Sequence, residues 1–190
     1  MPPKPKITKN MILETVLKIT QKTGFETVNA RSIAHQLQCS TRPIFTCYEN
    51  MDELKKEFLE FAFEYYTQYV TDYSSSVNKA QYLILPLSYI EFAKKESFLF
   101  KLIFLNDMDL NMVEPDDFYN EIGNEKKVKE FSDMLGIELE QGKKIFLDLF
   151  LYAHGIAVLT ATGKLTLTSG TIEKMLCNFL TTFIAKRQPT

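Results

Sequence analysis

The sequence predicts an all-α protein of about nine helices, in which a three-helix N-terminal domain precedes a helical bundle. Glycine and proline are scarce, with seven of each in 190 residues, and no glycine falls between Gly24 and Gly123. So long a stretch without turn residues argues against a many-stranded β protein. Apolar residues make up 45% of the chain and charged residues 24%, which is typical of a soluble globular protein with a sizeable core. We expect two domains, over residues 1–50 and 51–190.

Three short segments with apolar residues at helical spacing come before residue 50. They predict helices over about residues 8–23, 30–37 and 41–47. Gly24 is expected to end the first helix, because glycine readily adopts the conformation of a C-terminal cap. Asn29 and Ser40 are expected to cap the second and third helices, because their side chains can accept hydrogen bonds from the first free amides.

The rest of the chain predicts longer helices. A fourth helix begins near Met51 and runs to about Tyr73, before a loop at Ser74–Ser76. The later helices are expected over about residues 79–95, 97–105, 124–135, 141–161 and 171–186. Pro86 should kink or interrupt the first of these. The apolar run Ile145–Ala161 contains Asp148 and His154 and is shorter than a membrane span, so it predicts a buried helix.

Charge is distributed unevenly along the chain. The formal net charge is −2, but residues 1–48 carry seven Lys or Arg and two acidic residues, a net +5. The remaining residues therefore carry −7. The N-terminal segment is therefore basic and the remainder of the chain is acidic. This distribution is compatible with nucleic-acid binding by the N-terminal segment alone. Lys4, Lys6 and Lys9 could form an arm that reaches toward DNA, and a solvated tail without a role is an equal alternative.

Several classes of function are disfavoured by composition. Three widely spaced cysteines without a CxxC pair predict no disulfide framework and fit a reducing cytosol. The first residues, MPPKPK, precede no apolar run, so we expect no signal peptide and a cytoplasmic protein. The chain has two histidines, and the only cysteine close to either of them in sequence is Cys39, four residues after His35, so we expect no zinc site. No nucleophile or paired acid and base can be argued from spacing, so we expect no enzyme, metal or cofactor.

The second and third predicted helices, joined by a tight turn behind a longer helix, suggest a helix-turn-helix. With Ala34 as the small residue at the helix crossing, four residues fall at the expected inward positions: Ile33, Leu37, Cys39 and Ile44. The alternative is three amphipathic helices that pack for stability alone.

The segment Thr8–Leu54 resembles the N-terminal domain of the TetR family of bacterial transcriptional regulators. The residues that carry the resemblance are Ile12, Gly24, Phe25, Val28, Ile33, Ala34, Leu37, Ser40, Ile44, Phe45, Tyr48, Asn50 and Leu54. Chain length, the long fourth helix and the pair His154-Gly155 also fit. The resemblance implies a dimeric, repressor-type regulator that binds palindromic double-stranded DNA and is released by a small, apolar ligand. The alternative is a helical ligand-binding or interaction protein whose head has lost affinity for DNA.

Four positions depart from the pattern of that family. Gln38 occupies the place of the usual turn glycine and would have to adopt a left-handed conformation. Phe45 replaces a tyrosine that commonly contacts phosphate, Cys47 replaces an aromatic residue or histidine, and Met51 replaces a phosphate-binding lysine. Each of the last three changes removes a polar or cationic group, so the resemblance implies weakened affinity for the DNA backbone.

We expect the third helix to enter the major groove. Thr41, Arg42 and Thr46 are its outward polar residues, and Arg42 can bind either a guanine edge or a phosphate. Phosphate contacts are expected from residues near helix ends, namely Asn29, Ser40, Tyr48 and Lys55.

Two further surfaces are predicted in the C-terminal domain. A dimer interface is expected from apolar stripes on the last two helices, formed by Phe146, Phe150, Ala153, Ala157, Ile172, Met175, Phe179 and Phe183. An effector pocket is expected from the aromatic-rich middle of the chain, at Phe61, Tyr65, Phe92, Phe104, Met108, Tyr152 and His154. The alternative for both sets is an ordinary intramolecular core.

Overall fold

The structure is a computed structural model that describes residues 7–108, 110–120 and 123–185. Over these residues it is all-α and contains no β-strand, which confirms the predicted fold class. The helices are α1 Lys9–Thr23, α2 Ala30–Gln36, α3 Arg42–Cys47, α4 Met51–Ser76, α5 Gln81–Lys95, α6 Ser97–Lys101, α7 Asn124–Leu135, α8 Leu139–Ala161 and α9 Ser169–Ala185. Short 3₁₀ turns lie at Phe25–Thr27 and Pro115–Asn120, and a π-helical turn at Leu102–Asn106.

The N-terminal helices begin at polar caps. The Thr8 hydroxyl accepts a hydrogen bond from the Met11 amide, and Asn29 Oδ1 accepts from the amides of Arg31 and Ser32. Asn29 therefore caps α2 as predicted. The expected cap at Ser40 is wrong: α3 begins after Thr41, and no side chain caps it. Proline in the first turn of α3 removes one amide that would otherwise need a partner.

Three helices end in the same way. After α2, α7 and α8, one residue adopts a positive φ, and the next amide donates back to the carbonyl five residues earlier. The residues with positive φ are Gln38 at 52°, Gly136 at 64° and Gly163 at 69°. Gln38 is the one non-glycine residue with positive φ in the described part of the chain, so this turn carries backbone strain that the other two avoid.

Two predicted interruptions are absent. The loop expected at Ser74–Ser76 is wrong, because α4 continues to Ser76. The hydroxyls of Ser75 and Ser76 donate to the carbonyls of Thr71 and Tyr73, so these serines bond to their own helix. α5 likewise runs without interruption through Pro86.

The chain forms two compact units. One comprises the described residues up to Gln68 together with Glu96–Asp107, and the other comprises Tyr69–Lys95 and the described residues from Met108 onward. This division differs from the functional boundary expected after residue 50, because α4 and α6 contribute side chains to the N-terminal core. Among them, Leu54, Phe58 and Leu99 have no exposed surface.

In the C-terminal unit, α8 is the central helix and packs against α5, α7 and α9. Ile145 and Ala157 of α8 have no exposed surface, and neither has Leu176 of α9. Among the described residues, α8 is the one helix long and apolar enough to cross a membrane.

Candidate nucleic-acid interface and ligand cavity

α3 has one buried anchor and one exposed face. Ile44 has no exposed surface and fixes the helix to the core of its unit. Arg42, Phe45 and Thr46 are exposed, and their spacing of three and four residues places them on one face. Arg42 forms no ion pair within the described part of the chain. This face therefore offers an uncompensated guanidinium to a partner.

Three further predicted DNA-binding residues lie at the start of α3 or of α2. Ser40 is exposed and Thr41 is partly buried. Asn29 is exposed, but its Oδ1 caps α2 and its Nδ2 donates to the Thr27 carbonyl at 3.2 Å. Both the oxygen and the nitrogen of the Asn29 carboxamide thus have partners within the unit, and this side chain serves as the N-terminal cap of α2.

Tyr48 and Lys55, from which phosphate contacts are expected, both make contacts within the N-terminal unit. Tyr48 is 2% exposed, and the Lys9 ammonium lies 4.7 Å from the centre of its ring. Burial raises the pKa of the Tyr48 hydroxyl, as expected for a core residue. Lys55 Nζ lies 2.8 Å from Asp107 Oδ1, so its charge is compensated within its own unit. Sequence spacing could not reveal either contact, because both partners are distant along the chain.

Additional cations lie on the N-terminal unit. Lys18, Lys22 and Arg31 are exposed, and none of them forms an ion pair in the described part of the chain. Arg31 lies in the first turn of α2. The sequence pattern did not single it out as a DNA contact, although it contributes to the positive charge of residues 1–48. Lys9 pairs with Glu57 at 2.6 Å, and Lys4 and Lys6 lie outside the described residues.

The residues predicted to form one ligand pocket are divided between the two units. In the N-terminal unit, the Tyr65 hydroxyl donates to Glu96 at 3.1 Å and accepts from Gln21 at 3.2 Å. Phe104 packs edge-on against Tyr66, with ring centroids 5.0 Å apart. Phe61 is partly buried and stacks on Phe58. These side chains form ring packing and a polar network within the unit.

The other four predicted residues belong to the C-terminal unit. Phe92 is fully buried, and Tyr152 stacks on Phe179 with ring centroids 4.9 Å apart. His154 Nδ1 lies 2.9 Å from the Tyr89 hydroxyl, and burial lowers the pKa of this imidazole. Met108 is partly buried in an irregular segment.

The C-terminal unit contains a cavity of about 370 Å³ that none of these seven residues lines. It lies between the end of α4, the start of α5, α7 and α8. Its buried wall includes Ile84, Phe131, Phe146 and Leu149. Its exposed lining residues are mostly polar or charged, and comprise Thr71, Ser75, Gln81, Lys127, Glu130 and Met134. The cavity thus has an apolar interior and a polar mouth, the usual character of a small-molecule site.

Most of the predicted dimer stripe on α8 belongs to the intramolecular core. Phe146, Ala153 and Ala157 are buried, as is Ile172 of α9, so these side chains pack within the unit. Phe150 also packs internally, with its ring 4.8 Å from that of Phe118. α8 is apolar around most of its circumference, so periodicity alone could not identify its outward face.

A different part of α8 is exposed. Leu151 is 52% exposed and Leu159 is 45% exposed, with the exposed Gly155 between them. Three predicted interface residues of α9, Met175, Phe179 and Phe183, are partly exposed. The ring of Phe179 stacks on Tyr152 of α8, which links the α9 residues to the outward side of α8. These residues (Leu151, Tyr152, Gly155, Leu159, Met175, Phe179 and Phe183) are called the α8–α9 surface below.

Neither metal ligation nor sequence similarity assigns a function directly. The described residues contain no cluster of three or more His, Cys, Asp or Glu side chains that could hold a metal ion. No model of a known protein family matches the chain, and no curated protein matches it at a significant level of sequence similarity.

Proposed function

We propose that this protein is a TetR-like, repressor-type transcriptional regulator. In this proposal it acts in the cytoplasm as a homodimer, binds a palindromic operator through α3, and is released by a small molecule bound in its C-terminal unit. The observation that carries the proposal is the turn between α2 and α3. Gln38 has a φ of 52° at the position where the sequence resemblance requires a left-handed turn residue.

The residues on either side of this turn support the same interpretation. Ile33 and Ile44 have no exposed surface and Ala34 is 4% exposed, as the inward positions of a helix-turn-helix require. A strained residue is retained in natural proteins where the surrounding structure demands that geometry.

The exposed groups of α3 fit direct readout of DNA. Arg42 can donate two hydrogen bonds to a guanine edge. The Thr46 hydroxyl donates to the Arg42 carbonyl at 2.9 Å, so this side chain offers DNA an acceptor oxygen and a methyl group. Ser40 and the exposed cations of α1 and α2 are available to phosphates, and they would make affinity fall as salt rises. One such helix reads only a few base pairs, so specificity requires a dimer. The α8–α9 surface, which is exposed and apolar, is the proposed dimer interface.

The test is a gel-shift titration of the purified protein against DNA flanking its own gene, at 50 and 200 mM salt. We expect specific binding that weakens at least tenfold at the higher salt concentration. Arg42→Ala should abolish the preference for this DNA without changing the mass of the dimer. Glu26→Ala, an exposed position of the same unit that carries no positive charge, is the control. Absence of any salt-sensitive binding would overturn the proposal.

A second candidate is a helical ligand-binding or interaction protein that no longer binds DNA. The observation that favours it is Phe45, which is 49% exposed on α3 where a phosphate donor is expected. The engagement of Lys55 with Asp107 also removes a cation from the backbone interface. Under this alternative, the gel shift fails while the dimer and the ligand cavity remain functional.

A further inference from the structure

The cavity of the C-terminal unit has an asymmetric lining. Its interior side is made by aromatic and aliphatic residues of α5, α7 and α8, among them Phe131 and Leu149, which are each 3% exposed. The serines Ser74 and Ser75 at the end of α4 lie at its edge. A ligand in this cavity would place an apolar body against the rings and a polar group at the mouth.

Two charged side chains of α7 line the mouth, and they differ in their partners. Glu130 forms an ion pair with Lys126, at 3.8 Å, so its charge is partly compensated. Lys127 has no carboxylate within ion-pair distance in the described part of the chain. Its ammonium donates a hydrogen bond to the neutral Asn124 Oδ1, at 3.4 Å. The mouth of the cavity therefore carries a cation without an ion-pair partner among the described residues.

The protein environment already disfavours the charge on Lys127. The side chain as a whole is exposed, but partial desolvation of its ammonium lowers its pKa. A ligand carboxylate beside the ammonium would offset that loss of hydration, and the ion pair would gain strength from the apolar wall behind it.

The volume limits the size of the occupant. If each heavy atom takes up about 30 Å³, as a water molecule does in the liquid, a cavity of about 370 Å³ holds about twelve heavy atoms. A carboxylate uses two of these with its oxygens, which leaves about ten carbons.

We propose that this cavity binds a medium-chain monocarboxylate, with its apolar chain against Phe131, Phe146 and Leu149 and its carboxylate on Lys127. The proposal rests on the ligand-binding half of the proposed function and is independent of its DNA-binding half. The effector would then be a carboxylate, and Lys127 would be the cation that distinguishes it from uncharged ligands.

Calorimetric titration of the full chain with decanoate, in the absence of DNA, tests the proposal. Decanol has the same chain without the charge, and decyltrimethylammonium carries the opposite charge. We expect decanoate to bind at least tenfold more tightly than either of them. Equal affinity for decanoate and decanol, or no binding of decanoate, would overturn the proposal.

Two variants locate the site. Lys127→Met should weaken decanoate about tenfold and leave decanol unchanged, whereas Lys129→Met, an exposed lysine of α7 that does not line the cavity, should leave both unchanged. Ser74→Phe should fill the cavity and abolish binding of both probes, with the thermal midpoint used to verify folding. Wild-type decanoate affinity in either Lys127→Met or Ser74→Phe would contradict the assigned site. Because no DNA is present, these outcomes do not depend on whether the protein binds an operator.

Discussion

The amide of Cys39 donates a 3.0 Å hydrogen bond to the carbonyl of Ala34 and thereby closes the end of α2 around Gln38. The same closure follows α7 and α8, where glycine occupies the left-handed position. A side chain in this conformation costs roughly 1–2 kcal/mol relative to the right-handed region. The comparison within one molecule therefore identifies Gln38 as a site of local strain.

Replacing this residue with glycine should relieve the strain. We expect Gln38→Gly to raise the free energy of unfolding by up to about 1 kcal/mol, because relief of strain exceeds the extra freedom of glycine in the unfolded chain. Urea denaturation, followed by far-UV circular dichroism, measures the change.

The matched control is Gln36→Gly, two residues earlier. Gln36 is exposed and is the last residue of α2, in an ordinary helical conformation. Glycine there should lower the free energy of unfolding by about 0.5–1 kcal/mol. A loss of stability in both variants would show that the positive φ at Gln38 carries no relievable strain.

Local chemistry made much of the fold predictable. Gly123 and Gly136 flank α7, whose observed bounds, Asn124–Leu135, agree with the predicted ones at both ends. Asn29 caps α2 as expected, because capping needs only an oxygen next to the first free amides. The loop expected at the three serines that end α4 is absent. A serine side chain can bond to its own helix as well as terminate it, so its presence alone does not predict a helix end.

The sites depend on contacts that sequence spacing does not encode. Lys55 was assigned to phosphate, but its partner, Asp107, lies 52 residues away. The cavity of the C-terminal unit is a gap between four helices, and no periodicity within one helix reveals such a gap. The outward stripe of α8 was missed for a related reason: when a helix is apolar on most sides, only the packed structure shows which side its neighbours leave open.

The proposed dimer can be tested on the exposed residues of α8. Leu159→Glu should place a charge in the interface and convert the dimer to a monomer, because an unpaired carboxylate is costly to bury. Sedimentation equilibrium measures the mass. Leu139→Glu, at an exposed position on another face of the same helix, should leave the dimer intact. A dimer of unchanged stability in Leu159→Glu would contradict the interface.

Close packing between α7 and α8 should make Gly142 sensitive to substitution. A Cβ atom at this position would overlap Ser132 Oγ and lie 2.9 Å from Ser132 Cβ. The Ser132 hydroxyl is held in place by a 2.7 Å hydrogen bond to the Val128 carbonyl. We expect Gly142→Ala to lower the free energy of unfolding by about 1–3 kcal/mol.

A double variant separates this overlap from other effects of alanine. Ser132→Ala removes the nearest clashing atom, so Gly142→Ala should cost less in that background than in the wild type. Gly170→Ala, at a position in α9 where a Cβ meets nothing within 4 Å, should be neutral or slightly stabilising. Strictly additive losses in the Ser132 and Gly142 variants would argue against a direct contact.

Burial of the His154 imidazole should make stability depend on pH. Burial lowers the pKa of His154 from its ordinary value of 6.5, so the unfolded chain binds a proton more readily than the folded protein does. The stabilising contribution is therefore complete above pH 6.5 and is lost as the pH falls through the lowered folded-state pKa. We expect His154→Gln, which keeps a polar group near the Tyr89 hydroxyl but cannot titrate, to lose less stability than the wild type between pH 7.5 and 5.

His35→Gln changes an exposed histidine and should behave like the wild type in the same urea titrations. An equal loss in all three proteins would mean that the acid sensitivity arises from groups other than His154.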